Sequence, residues 1–174
     1  MIPDGVMKAA GAALRKAIRD RVVSQGHDLT GKLWQDIEER IEIDGMDTVL
    51  VGELVDYARH VEYGVPAERI PFTLGSGAGR SLYIEALARY AEMRGMERPK
   101  SAAFAIAMKH KKEGMPTQAS SRFSQDGNRT GFLERAIEES KDDVERIIFA
   151  GVGDVIKVTV SQMIEKTQIA WDSV

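Results

Sequence analysis

The side chains in this sequence with the most obvious chemistry are three histidines: His27, His110, and His60 with Glu62 two positions on. A zinc centre needs three or four convergent ligands, and no second histidine stands at a metal-site spacing from His60. His110 sits among Lys109, Lys111 and Lys112 and reads as a solvated helix end rather than a catalytic base. There is no cysteine, which excludes thiolate nucleophiles, cysteine-rich zinc sites and disulfides. Gly75-Ser76-Gly77 lacks the strand that a nucleophile elbow requires. The 75–79 stretch also lacks the Gly-Lys-Ser/Thr ending of a phosphate loop. Glu138–Glu139 and Asp142–Asp143 are adjacent pairs on an expected helix, so their carboxylates point apart. No catalytic residue, metal site or cofactor is expected from these patterns.

A second kind of chemistry is charge. The formal net charge of −3 argues against a generally basic nucleic-acid binder, but the charge is segregated. Residues 94–130 sum to +5, and the segments on either side sum to −4 each. This pattern fits solvated helix faces, or a basic segment that meets an acidic partner or DNA phosphate. Lys109, Lys111, Lys112, Arg122 and Arg129, with Phe123 between the arginines, are the candidate contact residues. A length of 174 residues with 43% hydrophobic side chains suits one domain with its own core. No run is apolar enough for a membrane span, and the N-terminus lacks the order of an export signal. Folding in a cytoplasm is the expectation.

The elements that must position these residues follow from periodicity. Val6, Ala10, Ala13, Leu14, Ala17, Ile18 and Val22 predict a helix over 3–25, with Asp4 as cap and Gly26 as a left-handed stop. Leu29 to Leu33 reads as a turn-like link. Residues 34–43 fit helix or strand. The alternating Thr48–Leu54 run after Asp44-Gly45 favours a hairpin, with strands at 36–44 and 47–54. A short helix over 55–63 ends at Gly64, and 65–80 is a Pro/Gly loop whose Gly-Ser-Gly-Ala-Gly stretch suits a hinge. Ser81 and Pro99 open two helices that form a helical hairpin ending near Lys112. Residues 115–130 read as a polar loop or arm. Thr130 is the expected cap of a last helix reaching Lys166, followed by a tail of eight residues.

Four stretches then stand in a telling order. They are Leu29-Thr30-Gly31-Lys32-Leu33, Val49-Leu50-Val51-Gly52, Tyr57-Ala58-Arg59-His60-Val61-Glu62-Tyr63-Gly64 and Ile70-Pro71-Phe72; Phe132-Leu133-Glu134-Arg135-Ala136 comes later. The sequence resembles the neck or tail-completion (head–tail joining) proteins of long-tailed bacteriophages and prophages, over about 29–72 and 130–150. That family has a leading helix, a Thr-Gly-x-Leu turn, a hairpin, a Tyr-Ala-x-x-Val-Glu-x-Gly helix, a proline-rich loop and a Phe-Leu-x-x-Ala helix. The matching positions are Thr30, Gly31, Leu33, Tyr57, Ala58, Val61, Glu62, Tyr63, Gly64, Pro71, Phe132, Leu133 and Ala136. The departure is an insertion of about 55 residues before the last motif, carrying the basic helical hairpin.

The expected fold is α+β: a small antiparallel sheet on long N- and C-terminal helices, in one domain over 1–174 with an insertion at about 80–130. The resemblance implies a structural virion protein of the phage neck, assembled in the bacterial host cytoplasm. It implies a six- or twelve-fold ring of copies between the head connector and the tail tube or tail terminator, with DNA passing through. The motif residues would then be structural, and the basic segment and polar arm would meet a neighbouring copy or another neck protein. The alternative is a non-structural DNA-binding accessory protein that uses residues 94–130.

Overall fold

A computed structural model describes residues 2–44, 47–75 and 81–172, with backbone alone at 39, 44, 47 and 164–172. The element order is α1 (Asp4–Ser24), α2 (Lys32–Gln35), β1 (Glu38–Asp44), β2 (Asp47–Glu53), α3 (Ala58–Tyr63), α4 (Leu82–Met93), α5 (Pro99–Glu113) and α6 (Phe132–Asp172). Short 3₁₀ segments lie at Ala67–Arg69 and Gln118–Phe123. The architecture is α+β and predominantly helical, with one two-stranded antiparallel sheet.

α1 and α6 form the backbone of the molecule and run antiparallel. At one end Gln25 Nε2 donates to the Thr130 carbonyl at 3.0 Å. Further along, Arg21 pairs with Glu139. At the other end a side chain at Gly151 would overlap Val6. The alanine-rich stripe of α1 permits this close approach. Ile18 and Val22 of α1, Leu33, Ile37, Ala58, and Phe132 and Ala136 of α6 close into one buried core. Phe132 and Val22 are wholly buried. Burying each of these larger side chains contributes roughly 1.5–3 kcal/mol.

α1 ends in a reciprocal pair of bonds. The Gly26 N–H donates to the Val23 carbonyl, and the His27 N–H donates to the Val22 carbonyl. Gly26 has φ +71°, a conformation that side chains strain to adopt. At the other end Pro3 is the cap residue and Asp4 lies inside the first turn. Asp4 therefore offsets the helix dipole rather than capping the helix, correcting the expected cap.

The hairpin register pairs Glu38 with Glu53 and Asp44 with Asp47, close to the predicted strands. Only its base joins the core: Ile37 is buried and Leu54 and Val55 pack beside it. Ile43 and Val49 stay exposed. The link at Leu29–Leu33 is more ordered than a turn, because Gly31 at φ +72° starts the single-turn helix α2.

α4 and α5 form the inserted helical hairpin. Ala91, Ala103 and Ala107 are fully buried at their contact, so these helices approach closely through small side chains. The Ser81 hydroxyl accepts the Ile84 N–H, and Pro99 stands in the first turn of α5, as predicted. The hinge-like stretch from Ser76 to Arg80 lies outside the described residues. Residues 115–130 form the expected loop, with a 3₁₀ segment and turns, tied at its start where Val65 and Met115 exchange backbone hydrogen bonds at 2.7 and 2.8 Å. One expectation needs correction. Residues 167–172 continue α6 instead of forming a tail, and the last two lie outside the described residues.

Candidate functional site

Six of the thirteen motif residues, scattered along the sequence, meet in one place. Leu33, Ala58, Phe132 and Ala136 belong to the buried core, and Val61 and Leu133 pack against it. Glu62 connects two motifs directly. It is buried on α3, and its carboxylate accepts the Leu133 N–H at 2.8 Å and the Glu134 N–H at 3.3 Å. The Glu62 carbonyl also accepts the Gly131 N–H at 2.8 Å. The cap of α6 is thus supplied from another helix, and the expected Thr130 cap is replaced. A carboxylate suits that place, because the helix N-terminus presents unpaired N–H groups and a partial positive charge. Thr30, Tyr57, Tyr63 and Pro71 are exposed, and Gly31 is buried.

The same stretch anchors the insertion. Gly64 has φ +75°, and a side chain there would lie 2.5 Å from the Met115 carbonyl oxygen. Gly114 has φ +81° and faces the Val65 carbonyl at 2.7 Å by the same measure. Two glycines therefore flank the Val65–Met115 bridge, each allowing a close backbone approach.

The candidate basic residues divide into two groups. Phe123 is packed among guanidinium groups within the chain: Arg94 lies 4.6 Å from its ring centre, Arg122 4.9 Å and Arg129 5.7 Å. Arg94 and Arg129 both donate to the Gly26 carbonyl, at 3.4 and 3.3 Å. That carbonyl lies just past the negative end of α1, where cations are stabilised. Phe123 and Arg129 are half-buried here, while Arg122 is exposed. On α5, Lys109 pairs with Glu113 at 2.9 Å and Lys111 donates to the Ile70 carbonyl at 3.2 Å. Lys109, Lys111 and Lys112 all remain exposed. Lys109 and Arg122 share a groove, whereas Lys111 and Lys112 lie beside Phe72 and Leu74.

Two of the three histidines, His27 and His110, are more engaged than their positions in the sequence suggest, and His60 is exposed. His27 Nε2 lies 3.0 Å from the Arg129 carbonyl, and its Nδ1 lies 3.3 Å from the Arg129 guanidinium. A carbonyl only accepts and a guanidinium only donates, so the ring is neutral with its proton on Nε2. Burial, then the neighbouring Arg129 charge, lowers the His27 pKa to about 4. His110 is half-buried rather than solvated, with Nδ1 2.7 Å from the Tyr83 hydroxyl. Burial lowers the His110 pKa and raises that of Tyr83.

The His110–Tyr83 pair lines a groove of about 560 Å³ between α3, the helical hairpin and the 118–123 segment. Its walls are mainly apolar, with Val61, Leu87, Ala105, Ile106 and Met115 among them, and its rim carries Lys109 and Arg122. Such a volume is typical of sites for a ligand or an inserted side-chain cluster. The groove is not evident in the sequence, because its walls come from elements that meet only through the insertion. The one trace is the set of small and aromatic residues, Tyr83, Ala86 and Tyr90, on a single helix face. Among the described residues, no three His, Asp or Glu side chains converge to hold a metal ion, and no helix is long and apolar enough to cross a membrane. No family model, curated protein or solved structure matches the chain.

Proposed function

We propose that this protein is a structural component of a bacteriophage neck, forming a ring that joins the head connector to the tail. The observation that carries the reading is the Glu62 bridge. Six residues of the resemblance come from separate segments yet share a single core, and the carboxylate of one motif caps the helix that opens with another. This mutual dependence is what a family-specific scaffold requires. It supports the fold implied by the resemblance, and the role follows from that fold by analogy.

The DNA-binding alternative has less support. Phe123, the aromatic residue that stands between the arginines, is packed among three of them, and Arg129 is tied to Gly26, His27 and the Ser120 carbonyl. Lys109, Lys111, Lys112 and Arg122 remain as outward charges, suited to an acidic neighbour.

Gold-labelled antibody against the chain, applied to phage particles that carry it, tests the reading. Label at the head–tail junction is expected; label elsewhere, or none, overturns it. Changing Lys109, Lys111 and Lys112 together to Glu is expected to leave unjoined heads and tails. Normal particles would remove the basic contact from the proposal.

A further inference from the structure

α6 is about twice as long as the helix that covers it. Contact with α1 ends near Gly151, beside Val6, while α6 runs on to Asp172. Among the described side chains the next turns are apolar and largely exposed. Phe149 is 74% exposed, Ile156 57% and Val160 48%. With the half-buried Val152 these residues recur at intervals of three and four, so they lie on one face over 149–160, or about 17 Å of helix. A contiguous exposed stripe of this kind marks an interaction surface. The groove beside α3 is the complementary feature: apolar inside, basic at its rim, and large enough for several aliphatic side chains.

The stripe cannot fill the groove of its own chain. Arg129 lines the groove just before α6 begins at Phe132, and Ile156 lies 24 residues further along that continuous helix, roughly 36 Å away. We infer that the exposed stripe of α6 docks into the groove of a second copy, head to tail. Charge agrees with this occupant. Asp142 and Glu145 are exposed on the preceding turns, on the same side of α6 as the stripe; the groove offers Lys109 and Arg122 among its lining residues. A contact between two different surfaces of one chain is heterologous and repeats from copy to copy, closing a ring where the rotation allows. The inference names the contact that would build the ring proposed above, and rests on that reading only for the ring's place in a virion.

The natural absence of cysteine makes the test clean. Ile156 and Ala105 are both exposed, one on the stripe and one on the groove wall. Ile156→Cys protein and Ala105→Cys protein are mixed and treated with a short bis-maleimide linker. A linked dimer is expected in the mixture and in neither variant alone, with a ladder of linked copies from the double variant. Adding Val160→Asp to the double variant should abolish the ladder while far-UV circular dichroism stays unchanged. A dimer from Ile156→Cys alone would mean that stripes pair with each other, and it overturns the inference. So does a mixture that never links, as expected if a small apolar ligand or a different protein occupies the groove. Linking without label at the head–tail junction keeps this contact and removes the neck role; label without linking does the reverse.

Discussion

Glu62 and Leu133 are 71 residues apart, yet the Glu62 carboxylate accepts the Leu133 backbone N–H at 2.8 Å and thereby closes the start of α6. A buried carboxylate that satisfies two helix N–H groups stabilises both partners: the charge finds donors and the donors lose no bond on leaving water.

Removing that carboxylate is expected to be costly. Glu62→Ala leaves the Leu133 and Glu134 N–H groups unpaired, a loss of about 1–3 kcal/mol. Glu62→Gln keeps one acceptor oxygen and should lose less. Urea unfolding gives the two values, and equal losses would show that the cap is not the source.

The two glycines beside the Val65–Met115 bridge make a second prediction. Gly64→Ala forces a side chain into φ +75° and against the Met115 carbonyl, at an expected cost of 2 kcal/mol or more, to order of magnitude. Gly95 also has a positive φ, +71°, but has open space around its Cβ position. Gly95→Ala should therefore cost only the conformational part, about 1 kcal/mol. Thermal unfolding of the pair separates close approach from backbone strain.

The arginine cluster around Phe123 predicts coupling. Arg94 sits 4.6 Å from the ring centre, and a half-buried cation–π contact is worth about 0.5–2 kcal/mol. A double-mutant cycle with Arg94→Met and Phe123→Leu should give a coupling energy in that range. Additive losses would mean that the ring serves only as apolar filling.

Acid should weaken the fold through His27. In the folded state its pKa is held at about 4, against about 6.5 in an unfolded chain. The unfolded state therefore takes up a proton first as pH falls. The stability carried by the neutral ring is fully present above 6.5, declines from there to about 4, and stays lost below. With screening at a partly exposed site, the loss is on the order of 2 kcal/mol. His110, also lowered by burial, adds in the same direction. Urea midpoints measured between pH 7 and 5 should fall, and His27→Gln should flatten that decline. Asp126 acts lower: its pKa is held at about 2, first by the Ser124 hydroxyl and then by the Asn128 N–H, so its contribution is present above 3.8 and is lost between there and about 2.

Local signals were readable in the sequence wherever a residue acts on its own neighbours. The stripe on α1, the left-handed Gly26, the β-branched run of the hairpin, Ser81 and Pro99 all act over a few residues, and their elements stand where they were expected. Failures came where a distant group outcompeted a local one. Thr130 is the nearest capping side chain for α6, but the Glu62 carboxylate accepts from the N–H groups instead, because the fold buries it beside them. The 115–130 segment is the loop its composition predicts, and it is held by Val65, Gly26 and Ser24.

The sequence by itself determined the longer secondary elements, the alternation of acidic and basic segments, and the absence of thiol chemistry. Each depends on residue type and short spacing, and period and propensity report on these directly. Only the tertiary structure decided that Phe123 and Arg129 face inward, that His27 is neutral, that a groove lies beside α3, and that Phe149, Ile156 and Val160 of α6 stay exposed. Those properties depend on which surfaces meet. Burial, desolvation and partner choice are set by contacts between residues far apart in the chain, and no local pattern encodes them.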